Sequence, residues 1–161
     1  METIKLNEIP KLIVSIVFCQ CAGLIGAVFT STAIPSWYVT LNKPFFTPPN
    51  WLFAPVWITL YTLMAVAAFL IWRQGFQDRQ VQRALSIFGV QLILNALWSA
   101  AFFGLQSPLA GLIVIVILWL AIVLTILKFF PISKTAGLLI MPYILWVSFA
   151  AVLNVAIVLL N

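Results

Sequence analysis

Histidine is absent from this chain of 161 residues, acidic residues number only three, and charged residues of every kind make up 7%. Without imidazole the usual haem and zinc ligand is missing. The two cysteines do not replace it. Cys19 and Cys21 lie two apart on one predicted helix and point about 200° apart, so they neither pair with each other nor jointly hold a metal. They read as small apolar packing residues.

The few charges are also confined in place. Every Lys, Arg, Asp and Glu falls outside five long apolar stretches or at their edges. Proton relays and ion-coupled transport normally need a charge near the membrane midplane, so the pattern speaks against a pump, an antiporter or a voltage sensor. Internal repeats, low-complexity tracts and the paired broken helices of inverted-repeat transporters are not evident either.

What is present is overwhelmingly apolar, at 65% hydrophobic residues, where globular chains average about 45–50%. A helix rising about 1.5 Å per residue needs about 20 apolar residues to cross about 30 Å of hydrocarbon. Residues 12–30, 51–72, 84–103, 109–130 and 136–160 meet that length. The chain 1–161 is therefore expected to be a single all-α domain, a five-transmembrane-helix bundle, with a polar arm at 1–11 and a long first loop at 31–50. Short later links make neighbouring helices antiparallel. The first apolar run, at 19 residues, exceeds the usual signal-peptide core of about 7–15 and is read as a retained helix.

Basic residues set the expected orientation. Lys5, Lys11, Arg73, Arg79, Arg83, Lys128 and Lys134 fall on one side and only Lys43 on the other. The positive-inside rule then puts the N-terminus in the cytoplasm and the C-terminus outside. This topology accounts for the +5 net charge, so no nucleic-acid partner is called for.

Residues 35–72 hold four of the seven tryptophans (Trp37, Trp51, Trp57, Trp72) and five of the nine prolines (Pro35, Pro44, Pro48, Pro49, Pro55). Loops as long as 31–50 are functional or disordered, and the aromatics Trp37, Tyr38, Phe45 and Phe46 argue for a packed one. The composition suits a stiff lid over an aromatic pocket. Helical spacing supplies the walls: Trp57, Tyr61, Met64 and Ala68 share one face of the second helix. Gln91, Asn95, Trp98 and Phe102 repeat that spacing on the third, and Tyr143, Trp146, Ala150 and Leu153 on the fifth. Trp57 and Trp146 fall within their spans and are the leading pocket residues. Trp37 and Trp72 suit the interfacial belt, and Trp119 suits lipid contact. Pro55 and Pro142 lie inside spans, where a lost backbone bond bends a helix and opens a cavity or is simply tolerated.

Asn95 and Asn154 are amides embedded in apolar sequence, and each needs a partner. For Asn154 a helix–helix bond is expected; for Asn95, a ligand contact and a structural bond stand equally. Ala96, Ala100 and Gly104 recur every four residues, a spacing that permits close backbone approach and suits a homodimer seam.

At WYVTLNKPFFTPPNWLFAPVWITLY, NALWSAAFFG and PYILWVSFAAVLN the chain closely resembles the translocator protein family, the TspO/MBR or tryptophan-rich sensory proteins that include the peripheral benzodiazepine receptor. The resemblance implies a receptor for porphyrins of the protoporphyrin IX type and for benzodiazepine-site ligands, with a regulatory or stress-related role and no obligatory cofactor. By motif it implies Tyr38, Trp57, Asn95 and Trp146 as cavity residues, with Ala150 bordering the cavity; Tyr61, Trp98 and Tyr143 join them from the stripes. Lys43, Asn95 or backbone donors would take the propionates, and the absence of His favours the metal-free macrocycle. Two rivals remain. One is light-dependent porphyrin degradation with Trp57 and Trp146 beside the excited ring, and the other is transport of porphyrin or lipid. Where animal members follow AxVLN with Tyr and then a base, a proposed sterol motif, this chain has Val155, Ala156 and Ile157. That departure implies weak sterol binding and a bacterial cell-membrane protein.

Overall fold

A computed structural model describes residues 6–161, and among them it has five helices long and apolar enough to cross a membrane and no strand. These are α1 (Ile9–Ala33), α2 (Asn50–Trp72), α3 (Arg79–Ser99), α4 (Pro108–Phe129) and α5 (Lys134–Leu160). Local chemistry explains their ends. The Asp78 carboxylate accepts from the Gln80 amide at 2.7 Å, and the Ser107 and Ser133 hydroxyls accept from Ala110 and Ala136 at 3.2 and 3.3 Å. Each satisfies a donor that the first turn leaves open. Pro10 and Pro108 stand in first turns, where the missing N–H costs nothing.

All five helices therefore lie where the apolar stretches predict, yet their ends differ. α3 starts at Arg79 rather than 84 because its cap is polar and lies beyond the apolar run. Pro10, expected in the polar arm before the first helix, is the second residue of α1. The first loop shrinks to 34–49 and contains a 3-10 turn at Tyr38–Thr40. Lys5 lies outside the described residues.

Around the bundle the order is α1, α2, α5, α4, α3 and back to α1, with α2 also meeting α3 across the centre. Only 17% of the apolar window of α1 is buried, against 44% in both α2 and α3. α1 is thus a peripheral helix and the α2–α3 contact lies near the axis. One end of the bundle carries Arg73, Arg79, Arg83, Lys128 and Lys134, with Arg73 paired to Glu8 at 3.1 Å. The other carries the loop 34–49, Lys43 and Asn161.

One irregularity matters for the site. α3 continues into a π turn, Ala100–Gly104, in which the Leu105 amide donates to the Ala100 carbonyl at 2.8 Å. Such a turn inserts an extra residue and re-aims the side chains around it. Here Phe102 and Phe103 are both buried beneath the loop.

Candidate functional site

The stripes of α2, α3 and α5 converge. Trp57 of α2 stacks on Tyr61 with ring centroids 5.6 Å apart, and lies 6.4 Å from Trp98 of α3 and 6.3 Å from Tyr143 of α5. Separations of this order, offset or edge-on, are the favoured aromatic geometry. Beneath these rings the Tyr61 hydroxyl donates to Asn95 Oδ1, and Asn95 Nδ2 donates to the Tyr143 hydroxyl at 2.9 Å. Asn95 is 1% exposed and Tyr143 fully buried. The buried amide thus ties three helices, and a ligand reaching Asn95 must share or displace one of these bonds.

One turn away on the same face, Gln91 is equally buried; its Nε2 faces Met64 Sδ at 3.7 Å, and its Oε1 has no partner among the described residues. Toward the loop, Trp98 Nε1 donates to Asn154 Oδ1 at 3.4 Å, and Asn154 Nδ2 donates to the Pro108 carbonyl at 2.8 Å. Asn154 makes the interhelical bonds its setting demands.

Trp146 belongs to a second group. Its ring lies 6.1 Å from Phe53 of α2 and 5.7 Å from Phe149. Trp57–Tyr143 and Phe53–Trp146 are therefore successive rungs of an aromatic ladder between α2 and α5, and Trp146 stands on the rung nearer the loop. Ala150, one turn further, is half-buried. Trp119 lies apart on α4, partly exposed, and its Nε1 donates to Ser148 Oγ at 2.8 Å.

The loop closes over these rungs. Tyr38 is buried against Phe103 and Phe102, at 5.7 and 6.3 Å between centroids, and Trp37 meets Phe102 edge-on at 5.5 Å. Trp37 thus packs on the bundle with part of its ring exposed. Phe46 reaches Phe149 at 6.3 Å. Burial pushes the Tyr38 hydroxyl above its ordinary value near 10, so it stays neutral. Lys43 Nζ donates to the Tyr38 carbonyl at 2.8 Å and sits 4.6 Å from the ring centroid, which pins the loop to itself. A polar latch pins it to α5: Asn161 Oδ1 accepts from the Asn42 amide at 3.0 Å and Asn161 Nδ2 donates to the Asn42 carbonyl at 3.0 Å. The Asn42 side chain in turn donates to the Leu160 carbonyl at 3.3 Å.

The small residues of α3 face α1 of the same chain. Ala96 and Ala100 line a groove between the two helices, and a Cβ at Gly104 would stand 2.9 Å from Phe29 Cδ1. Ala96, Ala100 and Gly104 thus stand together on the side of α3 that faces α1.

Sequence reading missed the Asn42–Asn161 latch, the Phe102 and Phe103 floor beneath Tyr38, and the role of Gly111. At Gly111 a Cβ would stand 2.6 Å from Phe102 Cδ2 and 3.0 Å from Asn154 Oδ1. A glycine in an otherwise aliphatic helix was the available signal for that close approach.

These features define a five-helix membrane protein whose loop, rich in aromatic residues and proline, closes over an aromatic seam tied by buried amides. The family model for the TspO/MBR family matches residues 15–160, and the chain belongs to that family. It is 46% identical to the tryptophan-rich protein TspO of Chlorobaculum tepidum over 155 residues, which cover 96% of this chain and 98% of that one. Identity to the tryptophan-rich protein TspO of Archaeoglobus fulgidus is 47% over 154 residues, 96% of this chain and 99% of that one. With the translocator protein of Bos taurus it is 34% over 134 residues, 82% and 79% of the two chains. The protein is an integral membrane protein.

Proposed function

We propose that this protein is a membrane receptor for a flat, largely apolar tetrapyrrole of the protoporphyrin IX type, and for benzodiazepine-site ligands. The ligand would lie along the α2–α5 ladder beneath the loop 34–49, and its binding would serve regulation or a stress response. The observation that carries this reading is the convergence of Trp57, Trp98 and Tyr143 above Asn95, with Trp146 on the next rung toward the Tyr38 lid. A macrocycle stacked on those rings gains aromatic contact and buried area together. Lys43, already at the lid, offers its remaining ammonium donors to a propionate. Membership of the TspO/MBR family supports the same site. The excess of Lys and Arg at one end supports a cytoplasmic N-terminus, with Asn161 on the opposite side.

Titration of the purified protein with protoporphyrin IX, followed by quenching of tryptophan emission, tests the reading. Trp57→Ala and Trp146→Ala are each expected to weaken binding by about 1–3 kcal/mol, the scale of one buried aromatic contact with its area. Trp119→Ala should change little. Wild-type affinity in both ladder variants, with the fold intact by circular dichroism, would place the ligand elsewhere.

A further inference from the structure

Gln20 stands at mid-span on α1, which runs from Ile9 to Ala33, so about 16–20 Å of helix separates it from either end. Its carboxamide leans across to α2, where Nε2 donates to Thr62 Oγ1 at 3.1 Å and to the Ile58 carbonyl at 3.4 Å. Both of its N–H bonds are thereby spent. Gln20 is only half-buried, and its Oε1 accepts from no group among the described residues. Beside it the exposed Thr59 and Thr62 hydroxyls donate to the carbonyls of Pro55 and Ile58, at 2.8 Å each, and their oxygens remain able to accept. The patch thus presents open acceptors and no open donor.

At this depth the hydrocarbon offers no donor, and an unpaired amide oxygen is costly there. Gln91 Oε1 also lacks a partner, but it is sealed inside the bundle; the Gln20 oxygen opens outward. The seam next to it is shut: a Cβ at Gly23, one turn along α1, would stand 2.6 Å from Tyr61 Cε2. A molecule that covers Gln20 therefore lies across α1 and α2 rather than between them. Around the patch Ile13, Val17 and Leu24 of α1 are exposed, a stretch of about 16 Å along the helix. On α2 the exposed neighbours Pro55, Thr59 and Thr62 are compact, which permits close approach of another backbone. A lipid keeps its polar head at the interface and brings no donor to mid-span. A helix does bring one, because its backbone bonds are satisfied within itself and its polar side chains are free to bond across to a neighbour.

We propose that the α1–α2 face docks a transmembrane helix of a second membrane protein, one that carries a side-chain donor (Asn, Gln, Ser or Thr) at mid-span for Gln20 Oε1 and Thr59 Oγ1. This face is distinct from the α3 side of α1: Cys21, which lines the groove toward α3, is turned about 100° from Gln20. It is also independent of the tetrapyrrole reading, since neither Gln20 nor Thr59 belongs to the aromatic ladder.

A single-span peptide of Leu and Ala with one central Asn, and with a diazirine side chain one turn from that Asn, provides the probe. The same peptide with Leu at its centre is the control. With the full chain in phosphatidylcholine liposomes, irradiation of the Asn peptide should label residues 13–24 and 55–66 several-fold above α4 and α5, and several-fold above the control. Gln20→Leu should reduce labelling to the control level and weaken association, read by fluorescence transfer, about 3- to 20-fold, the range for one interhelical hydrogen bond in a membrane. Circular dichroism and size-exclusion profiles report the fold of each variant. Thr59→Val keeps the bonds between Gln20 and α2 and should weaken association about threefold. Equal labelling by the two peptides, uniform labelling of all helices, or wild-type association in both variants would overturn the proposal. So would spontaneous disulfides between copies carrying Gln20→Cys and Cys21→Ala in the absence of peptide, which would assign the face to a second copy. Displacement of the Asn peptide by a long-chain alcohol would likewise overturn it and assign the face to a small amphiphile.

Discussion

The two faces of α3 hold their neighbours by opposite means. One face places Gln91, Asn95 and Trp98 against α2 and α5, where amides and phenols bond across a buried centre. The other places Ala96, Leu97 and Ala100 against α1 and leaves a groove. In hydrocarbon a polar side chain without a partner is costly, so the polar face admits few arrangements of its neighbours. The small-residue face gains only dispersion contacts and tolerates a gap. The same helix is thus a fixed reference for the central seam and a permissive wall toward α1.

The largest contrast should come from Asn95→Leu. It removes the acceptor of Tyr61 and the donor to Tyr143 together and strands two buried hydroxyls. A loss of about 2–3 kcal/mol is expected, against less than about 1 kcal/mol for Ala96→Leu, whose side chain grows into open space. Thermal or denaturant unfolding in a fixed detergent would compare them. Equal losses would show that the two faces are not held differently.

Glycines sharpen the same contrast at the next level. Gly111 brings α4 onto Phe102 and Asn154, and Gly111→Ala would drive a Cβ to 2.6 Å from the Phe102 ring. Overpacking of this kind costs about 1–3 kcal/mol. Gly89, on α3 with nothing within 4 Å of a built Cβ, should accept Ala with no loss and a gain of up to about 1 kcal/mol. A destabilised Gly89→Ala would mean that something packs there in the membrane.

How much of this was legible in the sequence depends on the length scale of each cause. The five spans are local consequences of apolar length, so the stretch 109–130 nearly coincides with α4. Helix ends follow polar caps such as Asp78 and Ser133, which lie outside any hydropathy signal. That Asn95 and Asn154 need partners follows from their apolar surroundings. That the partners are Tyr61, Tyr143, Trp98 and the Pro108 carbonyl depends on the order of helices around the bundle, which spacing along the chain does not encode. The Trp57 and Trp146 faces were visible as stripes, but their separation into two rungs depends on the vertical offset of α2 against α5. The π turn and the latch join residues through backbone geometry and through positions 119 apart in sequence.

The smallest effect separates the lid from the seam it covers. Among the described residues, the hydrogen bonds that reach from the loop 34–49 to α5 all involve Asn42, and two of the three use the Asn161 amide. The remaining anchors are aromatic edges at Phe102, Phe103 and Phe149. Asn161→Ala should therefore loosen the lid by about 1 kcal/mol, the net worth of such exposed bonds, without touching the Tyr61–Asn95–Tyr143 chain. Hydrogen exchange at the Asn42 amide should accelerate about fivefold, the factor that 1 kcal/mol represents, while amides of α3 around Asn95 keep their protection. Bound protoporphyrin should leave faster by a similar factor, with the arrival rate raised in step, because lid opening gates both directions. If exchange at Asn42 is unchanged, the aromatic edges alone hold the lid. If α3 exchanges faster as well, lid and seam open as one unit.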